Sequence, residues 1–353
     1  MEERVEAAYH DLALVLAWPD QTARGDERWM AMLKQAGIVK NLNFKVGHAA
    51  IVLVHRSTGA LQYYDFGRYI TPRGYGRARS AASDPRLELT TLATFNTQGH
   101  ISNLHVILDE LHQKEYATHG KGRLFFSVAE RICYRSANRF AQQVVERGPI
   151  KYGAIAPGNN SCSRFVAQIL SAGLPAGTPA RRRISLPETI KPSPMSNVVN
   201  ASSDKTVYCF QKGTLSPRKM GRLQSLRFQW NLLQQNLSAT KARALPCDDN
   251  PGNVGEPDRP LTVPESAQWL GGIGEGAWYA LERAAGGLMV VKYAVSGSED
   301  YRISCVASCP VNVDKPYRFT YHCHHQQHTI VQNNKHIVLT TLFDHTCKHT
   351  QTA

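Results

Sequence analysis

Long apolar runs are missing from this 353-residue sequence. The run Leu12-Ala13-Leu14-Val15-Leu16-Ala17-Trp18 is closed off by His10-Asp11 before it and Pro19-Asp20 after it. A bilayer-spanning helix needs about 20 apolar residues, so this segment is expected to be a buried strand. A secretory leader is not evident either: Met1 to Glu6 is acidic where a signal peptide is basic. A cytoplasmic location is therefore expected, unless a signal-less route exports the chain. Acidic residues are scarce, 28 against 41 Lys and Arg, for a formal charge of +13. The eight cysteines, at 133, 162, 209, 247, 305, 309, 323 and 347, are scattered through a chain too large to need a disulfide framework, so reduced thiols are expected. No dinucleotide fingerprint is present, since Gly272-Ile273-Gly274-Glu275-Gly276 neither follows a convincing strand nor opens a helix. No cofactor is expected. Basic motifs interleaved with aromatics are absent, which argues against nucleic acid as a partner. What remains is 42% hydrophobic and 20% charged, the balance of a folded globular protein.

Asn159-Asn160-Ser161-Cys162-Ser163-Arg164-Phe165-Val166-Ala167-Gln168-Ile169-Leu170 sets a thiol on the first turn of a predicted helix. Asn160 or Ser161 can cap it by accepting a bond from an orphan N–H. There the helix dipole favours a thiolate, and the cysteine pKa falls below its usual value of about 8.5. Cys162, Phe165, Val166, Ile169 and Leu170 fall on one apolar side, so the sulfur is expected to face whatever the helix packs against. A small buried cysteine with no chemistry would fit the same pattern. Upstream, Val46-Gly47-His48-Ala49-Ala50-Ile51-Val52-Leu53-Val54 reads as a strand opening with a histidine, followed by a turn at Arg56-Ser57-Thr58-Gly59 and a second strand from Leu61 to Phe66. With a period of two, His48, Ala50, Val52 and Val54 share a face, and small Ala50 is expected to let a helix approach closely.

A Gly-His-Ala strand, a following strand with polar residues and a downstream Asn-x-Cys-x-x-Phe-Val helix resemble the papain-like NlpC superfamily, over roughly residues 10 to 175. His48 precedes Cys162, the order of the circularly permuted group that includes lecithin retinol acyltransferase. The resemblance implies an α+β fold, a permuted papain-like domain with an antiparallel sheet and packed helices. It further implies Cys162 as nucleophile, His48 as general base and a polar residue of the second strand to orient the imidazole. Gln62, Tyr64 and Asp65 are all available for that third role. Gln62 and Tyr64 share one face and Asp65 lies on the other; charge favours Asp65, with Tyr64 next. His119 is the fallback base.

Arg68, Arg73, Arg77, Arg79 and Arg86 fall in one loop-like stretch with only Asp84 against them. This reads either as a wall for an anionic substrate or as solvated surface; Arg68 and Arg77, with Asn160 beside the thiol, are the expected substrate contacts. A helix opened by Ser127-x-x-Glu130 is expected to bury Cys133 with Ala137, Phe140 and Val144, and another is expected near Asn103 to His112. Three regions follow: a catalytic domain over 1–180, a connecting segment over 181–264, and a small β-rich domain over 265–353. Within the connecting segment, Ser216-Pro217 predicts the start of a basic amphipathic helix near 216–237, with Met220, Leu223, Leu226, Trp230, Leu233 and Leu237 expected to pack on their own domain. Pro246 to Pro264 holds five prolines and two glycines, a boundary composition. In the last region Ala277–Leu281 with Leu288–Ala294, and Thr329–Val331 with Ile337–Leu339, read as strand pairs. Cys305, Cys309, Cys323 and the histidines 322, 324, 325 and 328 are zinc-ligand types, but their spacing matches no standard finger, and no metal is expected. The expected function is a thiol hydrolase, a cysteine peptidase or amidase, or a thiol acyltransferase, acting on a peptide or acyl substrate through a thioester. The alternative is a non-catalytic binding protein on the same scaffold that holds an acidic partner.

Overall fold

The computed structural model describes residues 9–26, 28–153, 156–236, 238–249, 251–284 and 287–342; Leu237, Ala285, Gly286 and Cys347 lie outside these. The chain forms two compact units, residues 1–67 with 74–251, and residues 68–73 with 252–353.

The first unit is built on an eight-stranded sheet. Its strands are β1 (Asp11–Trp18), β2 (His48–Val54), β3 (Leu61–Gly67), β4 (Tyr75–Arg79), β5 (Leu124–Ile132), β6 (Ile150–Lys151), β7 (Thr206–Gln211) and β8 (Thr214–Lys219). They lie in the order β8-β7-β5-β1-β2-β3-β4-β6, all antiparallel. Every residue of β1 is buried. The reason is that both faces of the sheet are covered: Ala13, Val15 and Ala17 point into one apolar cluster, and Leu12, Leu14, Leu16 and Trp18 into the other. A strand buried on both sides reads as a continuous apolar run rather than an alternating one.

Helices supply the two covers. Counting those that cover the sheet, α1 (Leu104–Gln113) places Ile107, Leu108 and Leu111 against the even-numbered side of β1. On the opposite side lie α2 (Tyr134–Glu146), α3 (Cys162–Gly173), α4 (Pro179–Ser185) and α5 (Pro194–Ala201), through Ala137, Val144, Phe165, Ile169, Ile184 and Val198. The mixed helix and antiparallel-sheet architecture expected of the chain is present.

Some local expectations are corrected. Ser127 does not open a helix but sits inside β5, paired with Val15, and its hydroxyl donates to the carbonyl of Val198 at 2.6 Å. Phe125, Phe126 and Val128 are aromatic or β-branched and fit a pleated surface better than a helix turn. Cys133 stands at the N-cap of α2, half-buried, outside the helix it was expected to fill. Ser216-Pro217 lies in edge strand β8, where proline is tolerated. β8 turns back on β7 through Lys212 and Gly213, whose φ angles are 52° and 72°. The helix begins only at Arg222, as α6 (Arg222–Leu233), so residues 181–219 contain two helices and a hairpin rather than plain connecting chain.

The second unit holds a seven-stranded antiparallel sheet, β9 (Gln268–Gly271), β10 (Gly276–Ala284), β11 (Gly287–Tyr293), β12 (Glu299–Ala307), β13 (Arg318–Phe319), β14 (Gln327–Gln332) and β15 (Lys335–Thr341). The order is β9-β10-β11-β12-β15-β14-β13. The expected pairing of Thr329–Val331 with Ile337–Leu339 is present, with Ile330 opposite Ile337. Cys305 and Cys323 belong to its apolar cluster, and His328 bonds to the Tyr301 hydroxyl at 2.8 Å. Among the described residues no three His, Cys, Asp or Glu side chains converge on a point that could hold a metal.

Candidate active site

Cys162 is the first residue of α3. Ser161 caps the helix, its hydroxyl accepting from Arg164 N at 3.4 Å, and Asn160 Oδ1 accepts from Ser161 N at 2.9 Å. The thiol is 8% exposed, the most open member of an otherwise dry cluster that includes Ala49, Ile51 and Tyr64. The helix thus approaches the sheet over Ala49, not over Ala50 as expected: Ala50 belongs to the opposite cluster. The backbone N–H of Ala49 and the hydroxyl of Ser163 both reach the sulfur.

His48 opens β2, directly after Gly47, whose φ is +77°. A Cβ on Gly47 would stand 3.0 Å from Pro19 Cα and 3.1 Å from the Trp18 carbonyl, so glycine is required both by space and by backbone angle. The imidazole stacks on buried Trp18, with ring centroids 5.8 Å apart. Position at the strand's first residue lets His48 interact with Cys162, from the cluster on one face, and with Asp65, from the other.

The strand register assigns the third group. Ala50 pairs with Asp65 and Ile51 with Tyr64, so Asp65 shares the face of Ala50 and His48. Its Oδ2 lies 3.5 Å from His48 Nε2. Tyr64 points the other way and donates to Asn138 Oδ1 at 2.6 Å, while Gln62, opposite Leu53, shares the parity of Tyr64. Asp65 is fully buried and held by Arg79: Nε donates to Oδ1 at 3.1 Å and Nη2 to Oδ2 at 2.7 Å, and the Tyr63 hydroxyl adds a bond at 3.2 Å. Arg79 is in turn bonded to Asp84 at 3.1 Å and to the Ala117 carbonyl at 2.9 Å.

These contacts set the charges. Burial pushes Asp65 toward its neutral acid, but the Arg79 guanidinium and the His48 imidazole overcome it and hold the carboxyl well below the usual carboxylate range. Burial likewise opposes charge on His48; Asp65 and Cys162 outweigh it and lift the imidazole to about 9. Burial raises the Cys162 thiol, and the bond and charge of His48 lead the effects that bring it down below its ordinary value. Each partner's charge thus favours the other's: the imidazolium favours the thiolate and the thiolate the imidazolium, with the Asp65 carboxylate behind them.

The remaining expected residues fall elsewhere. The stretch from Arg77 to Arg79 is not loop: both arginines lie in β4 and are buried, at 5% and 4% exposure, and Arg79 is the cation that the buried Asp65 carboxylate needs. They do not form an exposed wall for an anion. Arg68 belongs to the second unit. Asn160 spends its amide on Gln168 Oε1 at 3.1 Å and its carbonyl oxygen on the helix cap, bracing the first turn of α3. His119 occupies a left-handed position, φ 54°, after the turn Glu115–Thr118 and is not among the groups acting on Cys162. The parts played by Arg79, against Asp65, and by Trp18, stacked on His48, go unread in the sequence, where Arg79 reads as substrate wall or surface and Trp18 only as a strand end. The alternation Arg77-Ala78-Arg79 was the available signal for a strand that carries cations to one face. A cleft of about 440 Å³ lined by Phe140, Arg164, Gln168 and Arg181 borders α3 but includes neither Cys162 nor His48.

The fold and site define a chain with a helix-borne thiol, a strand histidine and a buried carboxylate. Residues 13–177, which contain all three, match the model of the family described as type VI secretion system effector TseH-like. Residues 267–342 match the DUF6695 C-terminal domain. Among solved structures, the crystal structure of the type VI secretion system effector TseH aligns over 59% of this chain and 98% of its own, at 17% identity and a TM-score of 0.41. No curated protein sequence matches.

Proposed function

We propose that the chain is a thiol hydrolase of type VI effector kind, in which Cys162 attacks an amide or ester carbonyl and forms a thioester that water resolves. The observation that carries this reading is the Cys162–His48–Asp65 arrangement, with the sulfur at a helix start and its charge favoured by an imidazolium. In the first step the thiolate forms the S–C bond, and His48, protonated, delivers its proton to the departing amine or alcohol. His48 then takes a proton from water, which attacks the thioester and releases the acid and the Cys162 thiolate, restoring the starting pair. The first N–H groups of α3 are the donors available to the oxyanion. Asp65 orients His48 and stabilises its charged form, the third role for which it and Tyr64 were candidates. Replacement of water by another acceptor would make the same apparatus an acyltransferase.

The likeness of residues 13–177 to the TseH-like effectors supports export through such a secretion system as the route of delivery, in place of residence in the cytoplasm. None of the helices among the described residues is long and apolar enough to cross a membrane. The test is mass spectrometry of the full chain after brief exposure to an activated acyl ester. A mass increase on Cys162 that decays in buffer, and fails to form in Cys162→Ser or to form at speed in His48→Ala, supports the mechanism. A chain that never acylates would be a binding protein on this scaffold.

A further inference from the structure

Helix α6 is apolar on two sides, and only one is covered. Phe228 packs against the core at 5.5 Å from Phe125, and Ser225 is fully buried beneath it. Leu223, Leu226, Trp230 and Leu233 recur at three- and four-residue spacings on the other side and are 78%, 43%, 56% and 40% exposed. This overturns the expectation for these four residues; Met220, from the same expected stripe, does pack against the core, and Leu237 lies outside the described residues. Near Arg222, Leu186, whose carbonyl accepts from it, is 68% exposed. Four large exposed apolar side chains in a row along one side of a helix mark a surface that something else covers.

The rim says what that is. Residues 214–233 contain Arg218, Lys219, Arg222 and Arg227 and no acid, although Lys219 pairs with Asp204 at 3.0 Å. In residues 179–193 the one acid is Glu188, already bonded to Ser196, Asn200 and Arg222, against Arg181, Arg182, Arg183 and Lys191. Arg222 and Arg227 flank the stripe on either side of the helix. A second copy of the chain would bring the same positive rim against itself. The stripe is borne by a single helix, about 18 Å long for its 12 residues. Leucines and a tryptophan on the ridge with arginines at its sides match the interfacial helices that lie in the headgroup layer of a bilayer.

We infer that the α6 ridge docks the protein on an anionic lipid surface, with Leu223, Leu226, Trp230 and Leu233 entering the headgroup boundary and the flanking arginines meeting lipid phosphates. The inference is independent of the thiol chemistry.

The test is co-sedimentation of the full chain with phosphatidylglycerol vesicles and with phosphatidylcholine vesicles at low and raised salt. Binding to the first and not the second, weakened by salt, is expected. Leu223→Gln with Trp230→Gln should weaken it by about tenfold or more, and Arg222→Gln with Arg227→Gln should erase the preference for anionic lipid. Cys162 alkylation should proceed at the same rate in all variants, which separates this surface from the site. The inference is overturned if wild-type protein stays in the supernatant with phosphatidylglycerol, if the variants sediment as it does, or if the protein proves to be a dimer that the Leu223/Trp230 variant dissolves, the sign of a second copy on the ridge.

Discussion

Replacing Arg79 by methionine would remove a guanidinium bonded to both oxygens of a fully buried carboxylate. Asp65 has no exposure, Arg79 only 4%, and the pair is joined by bonds of 3.1 and 2.7 Å. Stripping one partner from such a pair leaves an uncompensated buried charge, which costs about 3–5 kcal/mol. The native Asp65 carboxyl is depressed, so its contribution to stability is present above the unfolded carboxylate value of 3.8 and is lost as pH falls through the lower folded value. The gap between Arg79→Met and wild type should therefore be widest near pH 7 and narrow as the pH is brought below 4. Hydrogen exchange of β3 and β4 peptides in urea measures the loss within the first unit. Adding Asp65→Asn to Arg79→Met should recover part of the loss, because the orphaned charge is gone. A loss under about 1 kcal/mol at pH 7, or one that does not depend on pH, would refute the view that Arg79 neutralises Asp65.

Three further outcomes are expected. Gly47→Ala forces a φ of +77° on an alanine and brings its Cβ to 3.0 Å from Pro19 Cα; a cost of at least about 1–2 kcal/mol in thermal unfolding, with slower Cys162 alkylation, is expected, and a neutral result would contradict the reading of that turn. In the pH profile of turnover the alkaline limb should fall near 9, where His48 loses its proton, and Asp65→Asn should move that limb to lower pH; an unmoved limb would mean that the carboxylate does not act on the imidazole. The same raised pKa, against 6.5 when unfolded, makes the contribution of His48 to stability complete below about pH 6.5 and lost as pH rises through about 9. Limited proteolysis should cut first within residues 246–264, where the chain passes from one compact unit to the other; early cuts inside 100–170 with that stretch intact would argue for one fused domain.

Local pattern carried the reading where one residue type had one physical explanation. Leu12–Trp18 was legible as a buried strand because neither period nor flanks allowed anything else. Ser161 before Cys162, and Gly47 before His48, announced a cap and a strand entry that the structure contains. Position on a face was not legible. Whether Tyr64 or Asp65 meets His48 depends on the β2–β3 register, and a shift of one residue exchanges the faces. The same blindness put the helix over Ala50 rather than Ala49. Arg79 looked like surface because a sequence does not show which carboxylate will be buried; only the pairing of β3 with β4 brings it to Asp65. Ser216-Pro217 resembled a helix start because the turn at Lys212-Gly213, the stronger signal, was passed over. The α6 stripe had the right period for packing and the wrong outcome, since period alone does not say which of two apolar sides is covered.

The most direct measurement of the central claim is iodoacetamide labelling of the native chain across pH, with each cysteine quantified by mass spectrometry. Cys162 should label with a midpoint well below the value of about 8.5 of an ordinary thiol, and His48→Ala should raise that midpoint toward or beyond it while the fold is kept. A Cys162 midpoint equal to that of the cysteines in the unfolded chain, or one that His48→Ala leaves where it was, would show that no thiolate–imidazolium pair exists.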